Sequence, residues 1–178
     1  TFRTSLAHEF KGAVQIYGMT NVFPGEPARI IPASEAGRAT VVTLGSIEVR
    51  GTLRVGFVQP RMPFVFQNAR QELVGFDIEL VHLLTRDLGV QLEFVEWKPG
   101  ELLEGVASGR ADIGIGGYTV ASSLVMPVTF SVPYLDETAA FVVRDHLRSR
   151  FETWASIQEA TDLSIGMPAS PYYERLLK

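Results

Sequence analysis

Between residues 52 and 117, strand-like and helix-like stretches alternate with almost nothing between them. "TLRVGFV" (52–58), "QLEFVEW" (91–97) and "ADIGIGG" (111–117) read as strands. "GFDIELVHLLTRDLG" (75–89) and "GELLEGVASGR" (100–110) carry apolar residues at helical spacing. A β-α-β-α-β order with short connections predicts a parallel sheet with helices on its faces, because crossover helices must pack back onto the strands they join. In such sheets ligands bind beyond the carboxyl ends of the strands. Those ends are "QPRMPF" (59–64), "EWKPG" (96–100) and "GGYT" (116–119), rich in Gly, Pro and aromatic residues.

In the first helix, Phe76, Leu80, Leu83, Leu84 and Leu88 share one apolar face, with Glu79, His82 and Arg86 opposite. Asp77 is a candidate N-cap, with Glu79 reading as surface, and Gly89 is a natural stop. Leu102, Leu103 and Val106 give the second helix its apolar side. "SIEVRG" before the first strand reads as a helical turn ending at Gly51. "FVFQ" extends again, and "NARQEL" is a turn. Further along, "TAAFVVR" (138–144) and "LSIGM" (163–167) read as strands, with "FETWASIQEA" (151–160) and "SPYYERLLK" (170–178) as helices. In the first 44 residues, "AVQIYGM" (13–19) and "ATVVTL" (39–44) are strand candidates, and the proline-rich "NVFPGEPARIIPASEAG" between them reads as loop.

Composition narrows the function classes. A net charge of −4 over 178 residues, with no basic stretch interleaved with aromatics, argues against nucleic acid as partner. Without cysteine there are no disulfides, thiolate metal sites or cysteine nucleophile. His8, His82 and His146 fall in separate elements, and neither HExxH nor GxSxG spacing occurs, so no metal or catalytic residue is assigned. "GIGGYT" is not a dinucleotide loop, because Pro127 arrives too soon for the helix such a loop must open. No apolar run reaches the roughly 20 residues a membrane span needs. Starting at Thr1, the chain reads as a mature or excised piece of something longer.

The blocks "LRVGF", "PFVF", "LVGFDIELVHLLTRDLG", "LLEGVASGRADIGIGG" and "FSVPY" occur in one collinear order. Together they resemble the bacterial extracellular solute-binding proteins of family 3. Thr85 stands where that family's signature prefers a small apolar residue. The resemblance implies an α/β fold of the type II periplasmic-binding-protein kind, a parallel-rich sheet flanked by helices. It implies lobe one over 45–143, a hinge crossover with the start of lobe two over 144–178, and an N-terminal extension of unknown role over 1–44. The function implied is non-enzymatic and needs no cofactor. A small-molecule solute bridges two lobes outside the cytoplasm, in the periplasm or tethered to the membrane. The closed state is then presented to a transporter permease or to a transport domain fused in the same polypeptide. Alternatives on the same scaffold are the sensory input domain of a membrane receptor and a dehydratase-like enzyme.

Carried over residue by residue, the resemblance places ligand contacts at Gly116, Gly117, Tyr118 and Thr119, at Phe64 and Trp97, and at Ser170 in the second lobe. It also shows departures. The family's carboxylate-clamping arginine falls on Leu124, its second threonine on Ala121, and its aromatic before "PF" on Arg61. An aliphatic side chain cannot hold a carboxylate. The expected solute is therefore a small polar or anionic molecule rather than an ordinary α-amino acid, with Arg61 as a replacement cation.

Overall fold

A computed structural model describes residues 19–26, 28–39, 42–119, 127–136 and 141–167. The chain divides near residue 130 into two compact units.

The larger unit is built on a four-stranded sheet. Its strands are β1 (Arg29–Pro32), β2 (Thr52–Phe57), β5 (Gln91–Glu96) and β6 (Ile113–Gly114), in the order β1-β5-β2-β6, and every pairing is parallel. A two-stranded antiparallel ribbon, β3 (Phe66–Gln67) with β4 (Leu73–Val74), projects after β2. Helices α1 (Leu44–Arg50), α2 (Phe76–Leu88) and α3 (Leu102–Ala107) complete it.

Residues alternate between the two faces of β2, and each face has its own core. Leu53, Val55 and Phe57 point to one side, with Ile47 of α1, Ile78 and Val81 of α2, and Phe94 of β5. Val58 points to the other, with Val95, Trp97 and Leu102 of α3. Leu53, Val55, Phe57 and Phe94 are at most 2% exposed. A strand covered on both sides has no solvent face, and residues 53–58 are all buried, Arg54 included. Local signals set the helix ends. Thr43 and Ser46 form a reciprocal capping box before α1. Gly51 and Gly89 close α1 and α2 in the left-handed conformation.

Three expectations for α2 and the N-terminal segment need correction. First, α2 is turned over. Its buried residues are Asp77, Ile78, Val81, His82 and Thr85, while Phe76, Leu80, Leu83 and Leu84 are exposed. The polar members of the buried face are satisfied by neighbours. Thr85 Oγ1 donates to the carbonyls of Val81 and His82, each at 3.0 Å. His82 stacks on Phe23 at 4.8 Å and meets the edge of Phe94 at 6.1 Å. Second, the proline-rich stretch read as loop contains edge strand β1, in register from Arg29 beside Glu93 to Pro32 beside Glu96. Proline is tolerated there because an edge strand has one side with no ladder to complete. Third, residues 42 and 43 of the expected strand 39–44 precede α1 instead, and Leu44 begins that helix. The candidate strand 13–19 lies almost wholly outside the described residues.

The smaller unit contains a 3-10 helix over Asp145–Phe151 and α4 (Trp154–Gln158). Thr153 and Ser156 cap α4 reciprocally, Phe141 stacks on Trp154 at 6.0 Å, and Arg150 pairs with Asp162 at 2.5 Å. The described residues 141–144 and 163–167 form no strand, contrary to expectation. A strand exists by pairing, and among the described residues neither segment has a partner. The helix read over 170–178 lies outside the described residues, as does Ser170. No helix among the described residues is long and apolar enough to cross a membrane.

Candidate functional site

The topology selects one end of one strand. From β2 the chain passes through α2 to β5 on one side. From β5 it crosses through α3 to β6 on the other side of β2. The two crossovers cover opposite faces of the sheet, so a crevice is expected at the carboxyl ends of β2 and β6, where their direction reverses.

Five of the eight sequence-derived ligand residues meet there. The loop after β2 folds back through Arg61. Its N–H donates to the Val65 carbonyl at 2.7 Å, and its carbonyl accepts from the N–H groups of Phe64 and Val65, both at 2.8 Å. The Arg61 guanidinium lies over the Tyr118 ring with Cζ 4.5 Å from the centroid. A cation on an aromatic face is attracted by the ring quadrupole by about 0.5–2 kcal/mol, more as water is excluded. Burial pushes the half-buried Tyr118 hydroxyl above its ordinary pKa of 10.0, against the opposing pull of Arg61. Phe64 is buried in the core below, with its ring against Gly117. Gly117 has φ +60°, and a Cβ there would fall 2.3 Å from the Phe64 ring. Conformation and space therefore both demand glycine.

What holds this tip together is Asp77, a residue that reads from sequence as a helix cap. The N-cap position of α2 is Gly75, and Asp77 is 1% exposed. Its Oδ2 accepts hydrogen bonds from the N–H groups of Gly116 at 2.7 Å and Gly117 at 3.0 Å. The Asp77 N–H donates to the Phe64 carbonyl at 3.1 Å, and the Phe76 N–H to the Pro63 carbonyl at 3.1 Å. Gly75, at φ +134°, allows this approach, since a Cβ would sit 2.2 Å from the Phe64 carbonyl oxygen. "GFD" thus ties the loop after β2, the start of α2 and the glycine loop after β6 into one circuit. The signal was available in the chain: an acid two residues after a glycine, with a glycine pair just past the strand three elements later.

The other candidates separate. Thr119 is exposed next to Tyr118. Trp97, expected to contact ligand, is 6% exposed in the second core, against α3 at Gly105, where a Cβ would come within 2.4 Å of the ring. Its outer contact is the Arg110 guanidinium, 4.7 Å from the ring centroid. It is a core residue because the close approach of α3 to the sheet leaves no other place for a side chain pointing to that face. Ser170, Ala121 and Leu124 lie outside the described residues.

The opposite end of the β2–β6 pair carries a second buried carboxylate. Asp112 accepts from the Arg54 N–H at 2.7 Å and from its guanidinium at 2.8 Å, and it also pairs with Arg50. Arg54 continues to the carbonyls of Gly37 and of Gly109, the latter at 3.0 Å. Residues of the N-terminal segment are thereby fastened to the sheet. Two clefts lie away from the strand tips. One, of about 540 Å³, is bounded by Arg38, Val42 and Val106, and one, of about 330 Å³, by Glu26, His82 and Arg86. No group of three or more His, Asp and Glu side chains among the described residues could hold a metal ion.

Residues 53–160 match the bacterial extracellular solute-binding proteins, family 3. An L-cystine-binding protein of Escherichia coli K12 is 33% identical over 91 residues, covering 51% of this chain and 34% of that protein. Cyclohexadienyl dehydratase of Pseudomonas aeruginosa is 27% identical over 127 residues, covering 71% of this chain and 47% of that protein. A probable amino-acid ABC transporter-binding protein of Haemophilus influenzae is 27% identical over 88 residues, covering 49% of this chain and 34% of that protein. The chain spans between about a third and a half of the length of these curated relatives.

Proposed function

The chain belongs to the bacterial extracellular solute-binding proteins of family 3, and on that premise we propose that it supplies lobe one of a non-enzymatic, extracytoplasmic binding protein. Its sheet tips hold a small polar or anionic solute against a second lobe. Solute bridging two lobes biases a hinge toward closure, because only the closed state contacts it from both sides. A membrane transport partner reads that closed state. Lobe one takes in residues 45–143 and is enlarged by edge strand β1, and residues 144–178 begin lobe two.

One observation carries this reading. The Asp77 carboxylate binds both glycine N–H groups and thereby brings Gly116, Gly117, Tyr118, Arg61 and Phe64 to one sheet tip. The L-cystine-binding and amino-acid ABC transporter-binding relatives support the solute-binding part of the reading. The test is a thermal-shift screen of the full-length protein against amino acids, dicarboxylates and sugars. A true solute raises the melting temperature with dose, by RT ln(1 + [L]/Kd) in free energy. A flat response across the screen refutes the reading.

The dehydratase relative supports a second reading, an enzyme on this scaffold. Elimination needs a group to move a proton, and the titratable groups described at the tip are Arg61, Tyr118 and Asp77, whose Oδ2 already accepts from the two glycine N–H groups. Mass spectrometry of protein incubated with candidate solutes separates the two. Unchanged bound solute supports binding, and converted product supports catalysis.

A further inference from the structure

The arginines of the larger unit differ in what their guanidinium groups touch. Arg54 and Arg50 meet Asp112, Arg29 meets Glu93 at 3.6 Å, and Arg86 meets Glu26 at 3.8 Å. Arg38 and Arg110 donate to the carbonyls of Ser108 and Ala33. Arg61 is half-buried, and among the described residues no carboxylate pairs with it. Its face rests on Tyr118.

The surroundings of Arg61 are arranged to hold it there. Its backbone makes three hydrogen bonds within the loop, which fixes where the side chain starts. Gly116 lets the stem pass: a Cβ on that residue would stand 3.1 Å from Arg61 Cδ. Stacking covers one face of the guanidinium and a hydrogen bond to the Tyr118 hydroxyl engages part of its edge, leaving the other N–H donors of the planar fork for a carboxylate. The glycine N–H groups beside it cannot serve an anion, since Asp77 already takes both. The chain also has Leu124 where the resemblance places a carboxylate-clamping arginine.

Resting on the solute-binding reading, we infer that Arg61, stacked on Tyr118, is the anion-holding and specificity-determining residue of this site, and that the solute is a small carboxylate without net positive charge. The carboxylate would be held from the loop after β2, not from the segment after the glycine pair.

Isothermal titration of the full-length protein with succinate, L-glutamate, L-arginine and glucose tests this, on wild type and on the Arg61→Gln, Arg61→Lys and Tyr118→Leu variants. Succinate or L-glutamate should bind wild type. Arg61→Gln should weaken that binding by roughly 10- to 150-fold, the loss expected for a hydrogen bond to a charged group. Arg61→Lys keeps the charge without the fork and should fall between. Tyr118→Leu should cost about 2- to 30-fold through the lost stacking. Unchanged melting temperatures of the unliganded variants would show that folding is not the cause. Equal carboxylate affinity in wild type and Arg61→Gln overturns the inference. Binding of L-arginine or glucose without either carboxylate overturns it too, while the solute-binding reading survives. No binding of any of the four to wild type at millimolar concentration overturns both.

Discussion

Two buried carboxylates stand at opposite ends of the same strand pair, and they do different work. Asp112, before β6, is balanced by Arg50 and Arg54 and fastens strand, helix and N-terminal segment. Asp77, at the start of α2, faces the N–H groups of Gly116 and Gly117 at the other end. Side-chain cations make a clamp, whereas backbone amides make a shaped loop. Breaking a buried ion pair leaves an uncompensated charge, while removing the acceptor from two amides leaves two neutral donors without a partner. The first end should therefore govern stability and the second geometry for binding.

Substitutions at the two ends can break this contrast. Asp112→Ala should have the largest effect, a loss of about 3–5 kcal/mol, from leaving Arg54 buried without its partner. Calorimetry would show a fall in melting temperature on the order of 10 °C. Solute affinity, measured at a temperature where the variant is still folded, should change little. Asp77→Ala should cost less stability, about 2–3 kcal/mol for two amides left without an acceptor, but should lose solute binding at that same temperature. Equal affinity losses in the two variants would erase the division of labour. Gly117→Ala should cost about 1–2 kcal/mol for a side chain in the left-handed region, measured by denaturant unfolding. The same change should weaken solute binding as the Phe64 ring is displaced.

The smallest effect separates both ends from the middle of α2. Burial lowers the pKa of His82 below its ordinary 6.5, with Glu26, whose Oε2 lies 3.9 Å from Nδ1, opposing. The folded state then prefers the neutral ring. This contribution is present above pH 6.5 and is lost as pH falls through the lowered folded value, because the unfolded chain takes up the proton first. The groups facing the ring are Glu26, Phe23 and Phe94, with Arg86 sharing Glu26. Melting temperatures of wild type and His82→Gln, compared from neutral to acidic pH, should converge on the acid side. Parallel curves would exclude His82 as the source.

Much of the larger unit could be read from the chain, and the reasons are local. Alternation at 52–58 and 91–97 and the glycines ending α1 and α2 are short-range signals, and the elements form where these signals stand. That Arg61, Phe64, Gly116, Gly117 and Tyr118 share one end followed from strand order, which dictates which loops are neighbours, whereas the Asp77 contacts that fix them together did not. The faces of α2 were not legible in this way. Five large apolar residues outweigh Ile78, Val81, His82 and Thr85 in any one-helix pattern, yet the helix buries the second set. Trp97 shows the same limit: an aromatic at a strand end can stack on ligand or fill a core, and the approach of α3 at Gly105 chose the core.

The sequence by itself determined the α/β class, the parallel order and the end of the sheet to which the proposed site is assigned, because propensity, capping and crossover handedness act over neighbouring residues. Only the tertiary structure decided how far α2 is rotated, that residues 29–32 join the sheet as an edge strand, and that Asp77 holds the glycine loop instead of capping its own helix. Each of those depends on a partner 39 or more residues away, or on backbone donors and acceptors that every residue carries alike, so no local pattern records the choice.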